Sequence, residues 1–112
     1  MSRFKLGDSV VVSGMGPVGL SAVQFLKAGG ANKIIALDVT DRKKEAALAY
    51  GADYFLNSAT EPDIAASIRE ILGSDVGADI VYECSGHPAS VETCVLKAVK
   101  PGGQVMLIGT VQ

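Results

Sequence analysis

Short, almost wholly apolar runs alternate along this chain with segments whose apolar residues recur at helical spacing. The runs are Ser9–Ser13 (SVVVS), Lys33–Leu37 (KIIAL), Tyr54–Leu56 (YFL), Asp79–Tyr82 (DIVY) and Gln104–Ile108 (QVMLI). Between them lie Val18–Ala28, Asp41–Tyr50, Pro62–Leu72 and Ser90–Val99. In the first of these, Val18, Ala22, Phe25 and Leu26 form the predicted inward stripe; in the third it is Ile64, Ile68, Ile71 and Leu72. Strands and helices in strict alternation predict consecutive βαβ units. Strand runs that are nearly all apolar, rather than apolar at every second position, suit a parallel sheet covered on both faces. Crossovers between parallel strands are right-handed almost without exception. The expected fold is therefore α/β, a doubly wound parallel sheet of five strands in the order 3-2-1-4-5, with a sixth strand absent.

Punctuation supports these boundaries. Thr60-Glu61-Pro62-Asp63 resembles a capping box with proline near the first helical turn, and Gly51 and Gly73 lie where helices are expected to end. The tripeptide Gly-Ala-Asp occurs at Gly51–Asp53 and again at Gly77–Asp79, each time just before a strand. It reads as one local device used twice rather than as a solenoid repeat.

The first strand runs into GMGPVG, Gly14 to Gly19, with the spacing G-x-G-x-x-G. A strand that turns sharply into a helix needs a residue without Cβ at the turn (Gly14). It needs a second where a ligand can approach backbone (Gly16) and a third where helix and strand touch (Gly19). Pro17 fits the first helical turn, where its missing N–H costs nothing. The free N–H groups and the positive dipole end of that helix suit a pyrophosphate. The pattern alone is weak, but here it follows a strand, opens a helix and precedes Asp38 at the end of the second strand. That spacing is close to the roughly 20 residues expected for an acid that accepts from ribose hydroxyls. Dinucleotide binding in a Rossmann-like fold follows.

Asp38 also bears on cofactor choice. Its carboxylate accepts from both adenosine ribose hydroxyls but faces the 2′-phosphate of NADP with like charge, which favours NAD. The competing reading makes Asp38 a cap for the helix that starts near Thr40 or Asp41. Arg42 and Lys43 stand close enough in sequence to neutralise a 2′-phosphate, although both also suit a solvated first turn.

Composition narrows the remaining classes. At 112 residues the chain is expected to form one domain, residues 1–112, with a core that needs neither metal nor disulfide. A formal charge of −2 without a basic stripe argues against nucleic acid as a partner. No stretch approaches the roughly 20 apolar residues of a membrane span, and the N-terminus carries no apolar leader; a cytoplasmic protein without a membrane partner is expected. The two cysteines, Cys84 and Cys94, and the single histidine, His87, do not make a zinc ligand set. Cys94 falls on the stripe Val91, Cys94, Val95, Ala98 and reads as a buried thiol, and His87 reads as a loop histidine before Pro88. Cys84 reads equally as a packed strand-end thiol or as a residue touching cofactor. No catalytic and no metal-binding residue is assigned.

With GMGPVGL, IIALD, GADIVYECSG and VKPGGQVMLIG in view, the chain resembles the cofactor domain of the zinc-type medium-chain alcohol dehydrogenases, in particular the polyol and threonine dehydrogenase branch. The resemblance runs from Leu6-Gly7-Asp8 to Gly109. It implies NAD-dependent oxidation of a secondary alcohol, with hydride passing to the nicotinamide while a zinc ion in a separate domain polarises the alcohol oxygen. It also implies cofactor-binding roles for Gly14, Gly16, Pro17, Val18 and Gly19 at the pyrophosphate, and for Asp38 and Lys43 at the ribose. By the same resemblance Cys84 and Ser85 lie along the cofactor, and Gly109 and Thr110 lie towards the nicotinamide.

In that family a catalytic domain bearing the zinc ligands precedes this region, and a helix and sixth strand follow it. The chain is accordingly expected to be a cofactor domain cut from a larger dehydrogenase, binding NAD without catalysing. An open edge at the fifth strand and surfaces meant for the catalytic domain predict a homo-oligomer. The rival from another class is a nucleotide-sensing regulatory module, which would use the same glycines and Asp38. A methyltransferase glycine loop usually carries an acid where Ser13 stands. A kinase glycine loop is excluded by the helical period after Gly19.

Overall fold

A computed structural model describes residues 8–73, 77–84 and 99–107. The chain forms β1 (Ser9–Ser13), α1 (Pro17–Ala28), β2 (Lys33–Asp38), a 3-10 turn (Asp41–Lys43), α2 (Lys44–Tyr50), β3 (Tyr54–Asn57), α3 (Ile64–Leu72), β4 (Ala78–Glu83) and β5 (Val99–Leu107). All strand pairs are parallel, and β3, β2, β1 and β4 stand side by side in that order, as the alternation predicts. Strand β5 pairs along the other side of β4 with a register irregularity between Ala78 and Ile80. It opens at Val99, earlier than the expected Gln104, so Val99 belongs to a strand and not to the end of a helix. The rest of the helix expected at Ser90–Val99, and Ile108, lie outside the described residues.

Both faces of the sheet are covered, and alternation along each strand divides the core in two. Val10, Val12, Ile34, Ala36, Ile80 and Tyr82 pack with Met15, Val23, Leu26 and Ala47 on the side of α1 and α2. Val11, Ile35, Leu37 and Val81 pack with Ile64 and Ile68 of α3 on the other. Each fully buried Val, Leu or Ile contributes about 1.5–3 kcal/mol relative to an exposed one. Among the described residues no helix is long and apolar enough to cross a membrane.

The stripe of α1 keeps Leu26 and the partly buried Ala22 of the expected one but not Val18 or Phe25. Its buried residues are Gly19, Val23 and Leu26, whereas Val18 is 45% exposed and Phe25 59% exposed. The close approach of Gly19 to the backbone of Gly14, just past β1, sets the rotation of the helix, and residues four and seven positions on follow it inward. The start of α3 differs too. Asp63 is its N-cap, accepting from the backbone N–H of Ala66 at 3.1 Å. Thr60 instead donates to the Asn57 carbonyl within the turn after β3, and Glu61 accepts from the Ser67 hydroxyl. Gly51 and Gly73 do end α2 and α3, both at positive φ.

The two Gly-Ala-Asp segments prove to be one device. Gly51 (φ 128°) and Gly77 (φ 89°) turn the chain, and Ala52 and Ala78 are buried. Asp53 accepts from the backbone N–H of Ile34 at 2.8 Å; Asp79 accepts from the backbone N–H of Ser9 at 2.8 Å and from its hydroxyl at 3.0 Å. Each carboxylate thus satisfies an N–H at the beginning of the neighbouring parallel strand, in the same register both times.

Candidate functional site

The carboxyl ends of β1, β2 and β4 lie together, and the chain segments leaving them build the site. Gly14 takes φ 96°, a conformation open to glycine, and donates its N–H to the Leu37 carbonyl at 2.8 Å. Met15 turns its side chain back into the core, where it is fully buried. Gly16 is the N-cap of α1 and contributes no side-chain acceptor, while its carbonyl accepts from Leu20 N–H at 2.9 Å. Pro17 occupies the first helical turn, and no acid stands there. A Cβ on Gly16 would meet nothing within 4 Å, whereas one on Gly19 would stand 1.6 Å from the Gly14 carbonyl oxygen. The three glycines therefore serve three different needs: a turn, an open approach and a backbone contact.

Asp38, the last residue of β2, reaches back across the sheet to this turn. Its Oδ2 accepts from the backbone N–H of Met15 at 3.1 Å, and its Oδ1 from the N–H of Val39 at 2.6 Å. The helix-cap reading of Asp38 is not what the structure shows, because Thr40 caps the 3-10 turn by accepting from Arg42 N–H. Arg42 and Lys43 are exposed in that turn, a few residues past Asp38.

Cys84 follows β4, and its N–H donates to the Ser13 carbonyl at 2.8 Å, tying the fourth strand's exit to the start of the glycine turn. Its thiol packs against the core cluster beneath α1. Burial, reinforced by the neighbouring Glu83 carboxylate, pushes the thiol up to about 11, so it is a poor nucleophile near neutrality. Ser85, Gly109 and Thr110, like His87 and Cys94, lie outside the described residues.

Two residues that the sequence places at these strand ends without assigning them a role complete the picture. Met15 supplies both the buried anchor of the glycine turn and the N–H that Asp38 holds. Glu83 is only 2% exposed and sits beside the equally buried Ser13, in register at the ends of β4 and β1. The one sign of it in the sequence is a carboxylate directly after the apolar run Ile80–Tyr82. Among the described residues no three His, Cys, Asp or Glu side chains gather to hold a metal ion.

Comparison with known proteins converges on one family. The zinc-binding dehydrogenase family matches residues 17–112. The chain is 36% identical over 108 residues to sorbitol dehydrogenase of Bacillus subtilis (strain 168), covering 96% of this chain and 30% of that protein. It is 38% identical over 103 residues to L-threonine 3-dehydrogenase of Pyrococcus horikoshii, covering 92% and 29%. Among solved structures, alcohol dehydrogenase TADH from Thermus sp. ATN1 superposes with a TM-score of 0.86 at 36% identity, covering 96% of this chain and 30% of that one. The chain thus spans about 30% of the length of the relatives it matches. On this breadth of similarity, the chain belongs to the zinc-type medium-chain alcohol dehydrogenase family, in its polyol and threonine dehydrogenase branch, and carries that family's Rossmann-type unit.

Proposed function

We propose that this chain is the NAD(H)-binding part of a longer dehydrogenase that transfers hydride between a secondary alcohol and NAD. The pyrophosphate sits over Gly16, where the first-turn N–H groups of α1 carry partial positive charge and no side chain competes for them. Asp38 accepts from the adenosine ribose hydroxyls, and its charge disfavours a 2′-phosphate. Lys43 stands on the ribose side, and Pro17 and Val18 line the phosphates. Cys84 contributes backbone and packing rather than chemistry, since its thiol stays protonated.

The observation that carries this reading is the contrast between Gly16 and Gly19. Gly19 lacks a side chain because backbone occupies the place, but among the described residues nothing stands within 4 Å of a Cβ placed on Gly16. A cradle left open above an uncapped helix N-terminus, with a carboxylate beside it, fits a dinucleotide phosphate. Zinc, which the family name carries, finds no ligand set among the described residues. In this reading the metal and the alcohol pocket belong to the larger part of the parent enzyme, and the chain alone binds cofactor without turning over alcohol. Titration of the folded chain with NADH and with NADPH tests the reading. Saturable binding that prefers NADH supports it, and failure of both to bind contradicts it.

A further inference from the structure

The carboxylate of Asp38 already has work before any nucleotide arrives. Its Oδ2 holds the Met15 N–H at 3.1 Å across a separation of 23 residues, and its Oδ1 holds the N–H of Val39. Met15 is the residue between the two glycines that turn and cap the chain, and its side chain is fixed in the core. With Gly14 donating to Leu37, two successive N–H groups of the glycine turn are thus fastened to the last two residues of β2, one to backbone and one to side chain. The hydrogen bond from Met15 to Asp38 thus adds a polar side-chain tie between the turn and β2 to the packing of Met15 with Ile34 and Ala36.

We infer that Asp38 is a positioning residue for the pyrophosphate turn as well as a ribose acceptor, so that one carboxylate couples cofactor preference to the order of the phosphate cradle. This deepens the proposed NAD(H) reading and rests on it for the ribose half. It changes what removal of the charge should do. If Asp38 acted only by repelling a 2′-phosphate, any neutral replacement would admit NADPH equally well. In the coupled arrangement the hydrogen-bond acceptor and the charge are separable. Asparagine keeps an oxygen for Met15 N–H and loses the charge, whereas glycine loses both. A turn that is no longer fastened must be ordered by the ligand itself, which weakens every nucleotide that uses it.

The test compares the whole chain as wild type, Asp38→Asn and Asp38→Gly. Amide hydrogen exchange is followed at Met15 by NMR, with Val11 and Val12 of β1 as internal references, and NADH and NADPH are titrated in parallel. The coupled arrangement predicts at least tenfold faster exchange at Met15 in Asp38→Gly with the β1 amides unchanged, and protection restored in Asp38→Asn. It also predicts that Asp38→Asn binds NADPH several-fold more tightly than Asp38→Gly, although both lack the charge. Equal Met15 exchange in all three chains, or equal NADPH affinity of the two variants with saturable binding, would overturn it. If neither nucleotide binds any of the three, the NAD(H) reading fails by itself, and the Met15 exchange rates still decide whether Asp38 positions the turn.

Discussion

A side-chain carbon placed on Gly19 would stand 1.6 Å from the carbonyl oxygen of Gly14 and 2.8 Å from its carbonyl carbon. Helix α1 and the turn just past β1 meet there backbone to backbone, and neither partner is a flexible side chain that could move aside. Gly19→Ala is therefore expected to destabilise the chain by about 1–3 kcal/mol, the usual cost of forcing extra carbon into a packed site. Urea unfolding measures it. Stability equal to wild type would mean that the helix can slide away from β1.

Gly16→Ala separates binding from folding. A Cβ there meets nothing within 4 Å and the backbone has φ −73°, so stability should stay within about 0.5 kcal/mol of wild type. NADH binding should fall sharply, because the added methyl enters the space assigned to pyrophosphate. Parallel urea and nucleotide titrations read both, and an alanine variant that binds as well as wild type would move the phosphates elsewhere.

Gly51 and Gly73 both end helices at positive φ, yet they should differ in tolerance. At Gly73 (φ 65°) a Cβ finds open space, and alanine should cost about 1 kcal/mol of backbone strain. At Gly51 (φ 128°) a Cβ would also lie 2.7 Å from the Lys27 Cβ, so Gly51→Ala should cost more than Gly73→Ala. Equal urea midpoints for the two would contradict this.

The strand-end carboxylates predict a matched pair of losses. Asp53→Ala strips the Ile34 N–H of its side-chain acceptor, and Asp79→Ala does the same to Ser9. Each is expected to cost about 1–3 kcal/mol, the penalty for leaving a buried polar group without a partner. Because the two sit on different strand pairs, the double variant should show their sum in urea unfolding.

Cys84 predicts a pH signature. Burial, aided by the Glu83 carboxylate, raises its thiol from the ordinary 9.0 to about 11 in the folded chain. Iodoacetamide at pH 8 should leave it largely unmodified until urea is added, as read by mass spectrometry of its peptide. The linkage has a definite sign. Between about pH 9 and 11 the unfolded chain releases this proton while the folded chain keeps it, so the contribution to stability is full below pH 9 and falls as pH rises towards 11. Rapid alkylation of the folded chain at pH 8 would contradict the burial.

What the sequence made legible follows from whether the cause was local. The apolar runs Val10–Val12, Ile34–Leu37 and Ile80–Tyr82 specify burial on both faces and hence a parallel sheet, and right-handed crossovers between such strands then give the β3-β2-β1-β4 order. The glycine turn was legible for a similar reason, since few side chains permit φ 96° at Gly14 or a backbone contact at Gly19. The stripe of α1 was not, because Val18 and Phe25 match a helical period as well as Gly19, Val23 and Leu26 do. Only the Gly14 to Gly19 contact, made across the turn, selects the rotation. The repeated Gly-Ala-Asp could be seen as a repeat but not as an acceptor for Ile34 and Ser9, because that depends on which strands become neighbours. Asp38 illustrates both limits: its place at the end of β2 was legible, whereas its bond to Met15 required the sheet order to be known.

The most direct test of the account is fluorescence titration of the purified, folded chain with NADH and with NADPH, read from the nucleotide itself because the chain contains no tryptophan. The account predicts saturable binding of NADH, tighter than that of NADPH. A folded chain that binds neither nucleotide, or prefers NADPH, would contradict the assignment of Gly16 to the pyrophosphate and of Asp38 to the ribose.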